Sequence, residues 1–215
     1  MTHARPRLLI AAALTTAALM AGCRSDSGAA PLSLNSLTAI ADGVPEDGAE
    51  TCPLPYDMTE AAKAAGLDAR AGPGSVREDD APVATAEGGK RAKAGEALAA
   101  NPGALVSCMF HIGQEDVQVY VVATRERHAI YPLTPVVSSL ASVSAADAIS
   151  YVEKAGAAKA GEVVITDSGN VAAVRLKLDG DGDAVLLVGA RQAGTASLDR
   201  KQISGLTEAL VAQVQ

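Results

Sequence analysis

Apolar residues recur along this chain at two different spacings, and the change from one to the other sets the expected order of elements. Near the C-terminus Ile203, Leu206, Leu210 and Val214 fall on one stripe of a helix, with Asp199 placed to cap its start. Before it, Val174, Leu176 and Leu178 alternate with Arg175 and Lys177, which predicts a strand with one wet face. That strand belongs to an expected three-strand meander over Glu162 to Thr166, Val171 to Leu178 and Ala184 to Gly189. Its joints are the turn sequences Asp167-Ser-Gly-Asn170 and Asp179-Gly-Asp-Gly-Asp183.

Earlier, Ala104 to His111 is rich in apolar residues and Val117 to Thr124 in valine, and they flank Gly113-Gln-Glu-Asp116, so they predict an antiparallel hairpin. Thr134 followed by Pro135 predicts an N-cap and a first helical residue for a short helix to Leu140. Ser144 and Asp147 form a capping-box pattern for a helix to about Ala155, with Ile149 and Val152 expected on its inner face. Asp57 and Glu60 do the same for a short alanine-rich helix closed by Gly66. Between Gly66 and Asn101 the pattern weakens. Gly72-Pro-Gly and Gly88-Gly mark turns, and Ala92 to Ala100 is compatible with a helix that Pro102 would stop. The sum is an α+β domain over residues 51–215, with a largely antiparallel sheet of about five strands and helices packed on it.

The N-terminus follows a different logic. Arg5 and Arg7 precede an apolar run from Leu8 to Leu19, and Met20-Ala21-Gly22-Cys23 follows. A basic segment, a short apolar segment and small residues before a cut describe an export signal over residues 1–22. About a dozen apolar residues fall short of the roughly 20 that span hydrocarbon. The four residues from Met20 resemble the bacterial lipobox, with methionine where leucine is usual. The resemblance implies that Cys23 receives a diacylglyceryl thioether, becomes the first residue of the mature chain and holds it on the outer face of the cell membrane. Acylation by two or three chains is what makes such anchoring stable. From Arg24 to about Glu50 the chain is rich in Ser, Ala, Gly and Asp. Leu32, Leu34, Leu37 and Ile40 read as too irregular for an element, so residues 23–50 are expected to be a flexible tether.

Charge and composition narrow the partners. The whole chain has a formal charge of −7, and loss of Arg5 and Arg7 with the signal takes the mature chain to −9, a balance that disfavours nucleic acid. With no Trp, one Phe and four Tyr, the stacking platforms used for sugars and single-stranded nucleic acid are not favoured. Three cysteines are present, and an acylated Cys23 leaves Cys52 and Cys108 in a compartment where disulfides persist. They are expected to be joined, because neither a Cys-x-x-Cys pair nor further ligands for a metal lie beside them.

In this arrangement of cysteines, helix and strand, the chain resembles the two-cysteine lipoproteins of unknown function of the actinobacterial envelope. In those, one cysteine opens the domain beside a short helix and the second lies on the first strong strand, two residues before an aromatic. Here these would be Cys52, the helix after Asp57, Cys108 and Phe110, with Phe replacing the family's usual Trp. The resemblance brings no catalytic residue with it.

Other constellations are weak. Asp179, Asp181 and Asp183 imitate the first ligands of a calcium loop, but Ala184 stands where glycine is required and Ala190 where a bidentate Glu should be, so a hairpin turn is expected instead. The run Glu78-Asp79-Asp80 reads as a solvated loop. His111 and His128 are expected at the surface, with no Gly-x-Ser-x-Gly elbow or Ser-x-x-Lys pair to serve. Gly88-Gly-Lys90 lacks the rest of a phosphate-binding loop. No cofactor is implied. The leading expectation is a non-catalytic envelope lipoprotein that binds an envelope partner. A carrier or sensor for a lipid or small apolar ligand comes second, and an enzyme with an unrecognised site third.

Overall fold

The computed structural model describes residues 31–45, 51–74, 83–85 and 97–215. The signal segment, Cys23, Glu78-Asp79-Asp80 and Gly88-Gly-Lys90 lie outside the described residues. The domain is α+β, and its centre is an antiparallel sheet of seven strands. In chain order these are β1 (Ala71–Pro73), β2 (Val83–Thr85), β3 (Gly103–Ile112), β4 (Glu115–Thr124), β5 (Val163–Ile165), β6 (Val171–Leu176) and β7 (Asp183–Ala190). Across the sheet the order is β1-β3-β4-β7-β6-β5, with β2 also paired to β3. The two short strands β1 and β2 raise the count above the five that the sequence pattern showed. At three residues each, they are too brief to carry a readable alternation.

The long hairpin forms as its two apolar arms predict. Residues 103 to 112 pair in register with 124 to 115, so Cys108 faces Val119 and Phe110 faces Val117. Gly113 supplies the positive φ of the tight turn. Strand β7 then pairs with β4, and β6 with β7, each antiparallel to its neighbour.

Among the described residues six α-helices flank the sheet: α1 (Leu34–Gly43), α2 (Met58–Ala64), α3 (Ala97–Ala100), α4 (Thr134–Ala141), α5 (Ala145–Ala157) and α6 (Arg200–Ala212). On one face, Val106, Cys108, Phe110, Val117, Val119, Leu186 and Val188 pack with residues of α1, α2 and α6. On the other, Val122, Ala173, Val185 and Leu187 pack with Val137, Leu140, Ala148, Val152 and Ala155 of α4 and α5. Close approach on this second face depends on Gly189, whose missing Cβ would lie 2.5 Å from Leu140 Cδ1.

Three sequence expectations are corrected. The segment expected as a tether contains α1, because Ser33 and Ser36 form a capping box and Leu34, Leu37, Ala41 and Val44 in fact recur at helical spacing. Leu37 and Ala41 are fully buried in the core. The strand expected to have one wet face ends at Leu176, and its residues are covered from both sides, with Arg175 alone half-buried. On α5 the inner face is Ala148, Val152 and Ala155, while Ile149 is 48% exposed. The remaining N-caps lie where expected: Asp57 accepts from Glu60 N, Ser144 from Asp147 N and Asp199 from Gln202 N, but only Asp199 and Gln202 complete the reciprocal capping box. Helix α4 differs by one position, with Leu133 rather than Thr134 at the cap and proline within the first turn.

Candidate functional site

Cys52 and Cys108 form a disulfide, with Cα atoms 5.1 Å apart and a sequence separation of 56. It ties the segment before α2 to the middle of β3, where Cys108 is buried on the face shared with α1, α2 and α6. This segment continues through buried Leu54 to Tyr56, whose hydroxyl is buried without a hydrogen-bond partner among the described residues. Burial therefore pushes the Tyr56 phenol well above its ordinary range.

The three aspartates of the 179–183 turn do not converge. Asp183 is 5% exposed and committed: its Oδ1 accepts from Arg175 Nε at 3.1 Å and Nη2 at 2.8 Å. Its Oδ2 accepts the backbone N–H groups of His128 and Ala129. Gly180 and Gly182, both at positive φ, make the turn itself. Among the described residues no group of three His, Cys, Asp or Glu side chains is placed to hold a metal ion.

The two histidines lie apart. His111 on β3 is half-buried, its Nδ1 2.8 Å from the carbonyl oxygen of Pro73. His128 is exposed, adopts a positive φ and stacks on Tyr131 with ring centroids 4.8 Å apart. Neither has a nucleophile among its described contacts.

A cavity of about 440 Å³ opens beside α5, and it collects residues that sequence reasoning did not group. Helix α5 contributes Asp147, Ser150, Tyr151 and Lys154, which follow i, i+3, i+4, i+7 spacing and so form one stripe. The short strand β5 and the turn after it contribute Ile165, Thr166 and Asp167, while Val137 and Val143 form an apolar wall near the start of α5. Tyr151 joins the two sides by donating its hydroxyl proton to the carbonyl of Val164 at 2.8 Å. Burial pushes this phenol well above its ordinary range, with a backbone hydrogen bond at Ala173 opposing the shift. Tyr151 is therefore a neutral, fixed floor to the groove.

Its charged groups are less committed. Asp147 accepts a hydrogen bond from Ser144 Oγ at the cap of α5. The Lys154 ammonium and the Asp167 carboxylate make no ion pair or side-chain hydrogen bond among the described residues. The turn carrying Asp167 is itself rigid. Buried Asn170 donates to the carbonyls of Leu140, Ala190 and Arg191 and accepts from Ser168 Oγ, while Arg200 donates to the carbonyls of Thr166 and Asp167. A polar stripe flanking the Ala148, Val152, Ala155 stripe was the signal in the sequence that could have found this groove.

No protein-family model, no curated protein and no solved structure matches this chain. Among the described residues no helix is long and apolar enough to cross a membrane.

Proposed function

We propose that this protein is a non-catalytic envelope lipoprotein, held on the outer face of the plasma membrane by acylated Cys23, whose folded domain binds an envelope partner. The observation that carries the reading is the Cys52–Cys108 disulfide. A structural disulfide at the centre of a sheet suits a chain that matures outside the reducing cytoplasm. It also uses the two cysteines that acylation of Cys23 would leave. The lipobox resemblance at Met20-Ala21-Gly22-Cys23 supplies the anchor, and the negative net charge disfavours nucleic acid as the partner.

The carrier reading would draw on the cavity beside α5, since Val137 and Val143 offer an apolar wall. The charges of Asp147, Lys154 and Asp167 around it favour a polar partner over a lipid tail. Both readings are tested together in the native host. Intact-mass analysis of the membrane-extracted chain should show residues 23–215 plus acyl chains, and Cys23→Ala should release unacylated protein. A mature chain that retains Met1 and carries no fatty acid overturns the anchor. Crosslinking in intact cells should recover a discrete envelope protein, and recovery of none overturns the partner-binding role.

A further inference from the structure

The groove beside α5 ends on an unfinished sheet. Strand β5 is the last in the order β1-β3-β4-β7-β6-β5, and no strand lies beyond it among the described residues. Thr166 donates its N–H inward to the carbonyl of Val171 at 2.9 Å. Residue pairs in an antiparallel ladder alternate between bonded and non-bonded, so Val164 also turns its N–H and C=O toward β6. Val163 and Ile165 must then direct theirs outward, away from the sheet. Ile165 is also part of the cavity wall. An edge that offers unpaired backbone groups next to an open cavity suits an extended chain rather than a compact small molecule.

The charges around the cavity give that chain a direction. The connection from α5 returns directly into β5, and the Tyr151–Val164 hydrogen bond marks where the two cross. Residues 165–167 therefore lie toward the start of α5, which places Asp167 at the end of the groove that holds Asp147. Lys154 lies at the other end. Seven helical residues separate Asp147 from Lys154, about 10 Å along the axis. Three extended peptide units span about the same length.

From this juxtaposition we propose that the groove binds a short extended peptide with free termini, running antiparallel to β5. Its terminal ammonium sits between Asp147 and Asp167, its terminal carboxylate meets Lys154, and its backbone pairs with the outward groups of Val163 and Ile165. Small apolar side chains of the peptide rest on Val137 and Val143. The inference rests on the reading of this domain as a binding module and specifies the chemistry of what it holds.

The test uses the full chain in detergent micelles, titrated with trialanine and with its N-acetylated and C-amidated forms. Trialanine should bind saturably, and each blocking group should weaken binding about tenfold or more, the loss of one charge-assisted contact. Lys154→Gln should weaken trialanine about as much and abolish the difference between trialanine and its C-amidated form. Asp167→Asn should do the same for the N-acetylated form; Asp147 is avoided because it serves the α5 cap. Unfolding curves matching the parent chain would show that both variants fold. Absence of trialanine binding, or equal binding of all three peptides, overturns the groove assignment. If the chain still crosslinks to an envelope protein in cells, that outcome removes the peptide site and leaves the binding module standing. Loss of crosslinking with trialanine binding intact does the reverse.

Discussion

Arg175 reaches diagonally across the β6–β7 hairpin to Asp183, two residues from its register partner Val185, and one carboxylate does two tasks there. Oδ1 takes two guanidinium hydrogens, at 3.1 and 2.8 Å, while Oδ2 caps the N–H groups of His128 and Ala129. The second task is what holds His128 at positive φ, a backbone conformation that a non-glycine residue enters only when its surroundings over-determine it. Arg175 is secured in turn by donating to the carbonyl of Ala158 at the end of α5. The pair thus links the β6–β7 hairpin, the loop after β4 and the end of α5.

Removal of the carboxylate should therefore be severe. Asp183→Ala leaves a partly buried guanidinium and two backbone donors without their acceptor, and should lower unfolding free energy by about 3 kcal/mol. Urea denaturation of parent and variant measures it. A loss below about 1 kcal/mol would show that the pair is an ordinary surface ion pair.

Reduction of the Cys52–Cys108 bridge should lower stability by about 4 kcal/mol if its effect is mainly to restrict the unfolded chain. Thermal unfolding of the chain with and without reductant reads this directly. The paired Cys52→Ala, Cys108→Ala variant separates loss of the crosslink from any direct effect of reductant.

Leu37→Ala distinguishes a packed α1 from a tether. Leu37 is fully buried on the face of α1 that meets the sheet, so truncation should cost about 3 kcal/mol. In a tether the same change would leave the denaturation midpoint where it was.

The buried phenols predict a fall in stability at high pH. Unfolded Tyr56 and Tyr151 ionise near their ordinary value of 10.0, whereas burial keeps both protonated in the fold. Their contribution is complete below about pH 10 and is lost as pH rises further, because only the unfolded chain can then release the proton. Urea midpoints should agree between about pH 8 and 9 and drop by about pH 11. Tyr151→Phe should lessen the drop while losing the bond to Val164.

How far the fold could be read from the chain followed the length and type of each signal. The β3–β4 hairpin was legible because two ten-residue arms rich in apolar residues flank a turn glycine, and α5 and α6 because polar caps precede apolar stripes. Helix α1 was missed although its stripe is regular, because the Ser, Ala, Gly and Asp around it gave the segment the composition of a linker. Strands β1 and β2 owe their conformation to pairing with β3, a long-range cause that three residues cannot announce. The same holds for the groove: the polar stripe of α5 was present in the sequence, but its partners at 165–167 come into place only through the return of β5. Asn170 reads locally as a turn residue. Its role, satisfying three carbonyls at the junction of α4, β7 and the β5–β6 turn, exists only after those elements meet.

The bridge between Cys52 and the middle of β3 also has a mechanical meaning. Tension entering from the N-terminal side first loads α1 and the hydrogen bond between Asp179 N and the carbonyl of Leu32. That layer can peel away as a unit and lengthen the chain, but the covalent crosslink halts unravelling at Cys52 and passes the remaining load to the middle of the long hairpin. A molecule built this way would act as a shock absorber, giving ground at its outermost helix while the sheet behind it keeps its shape.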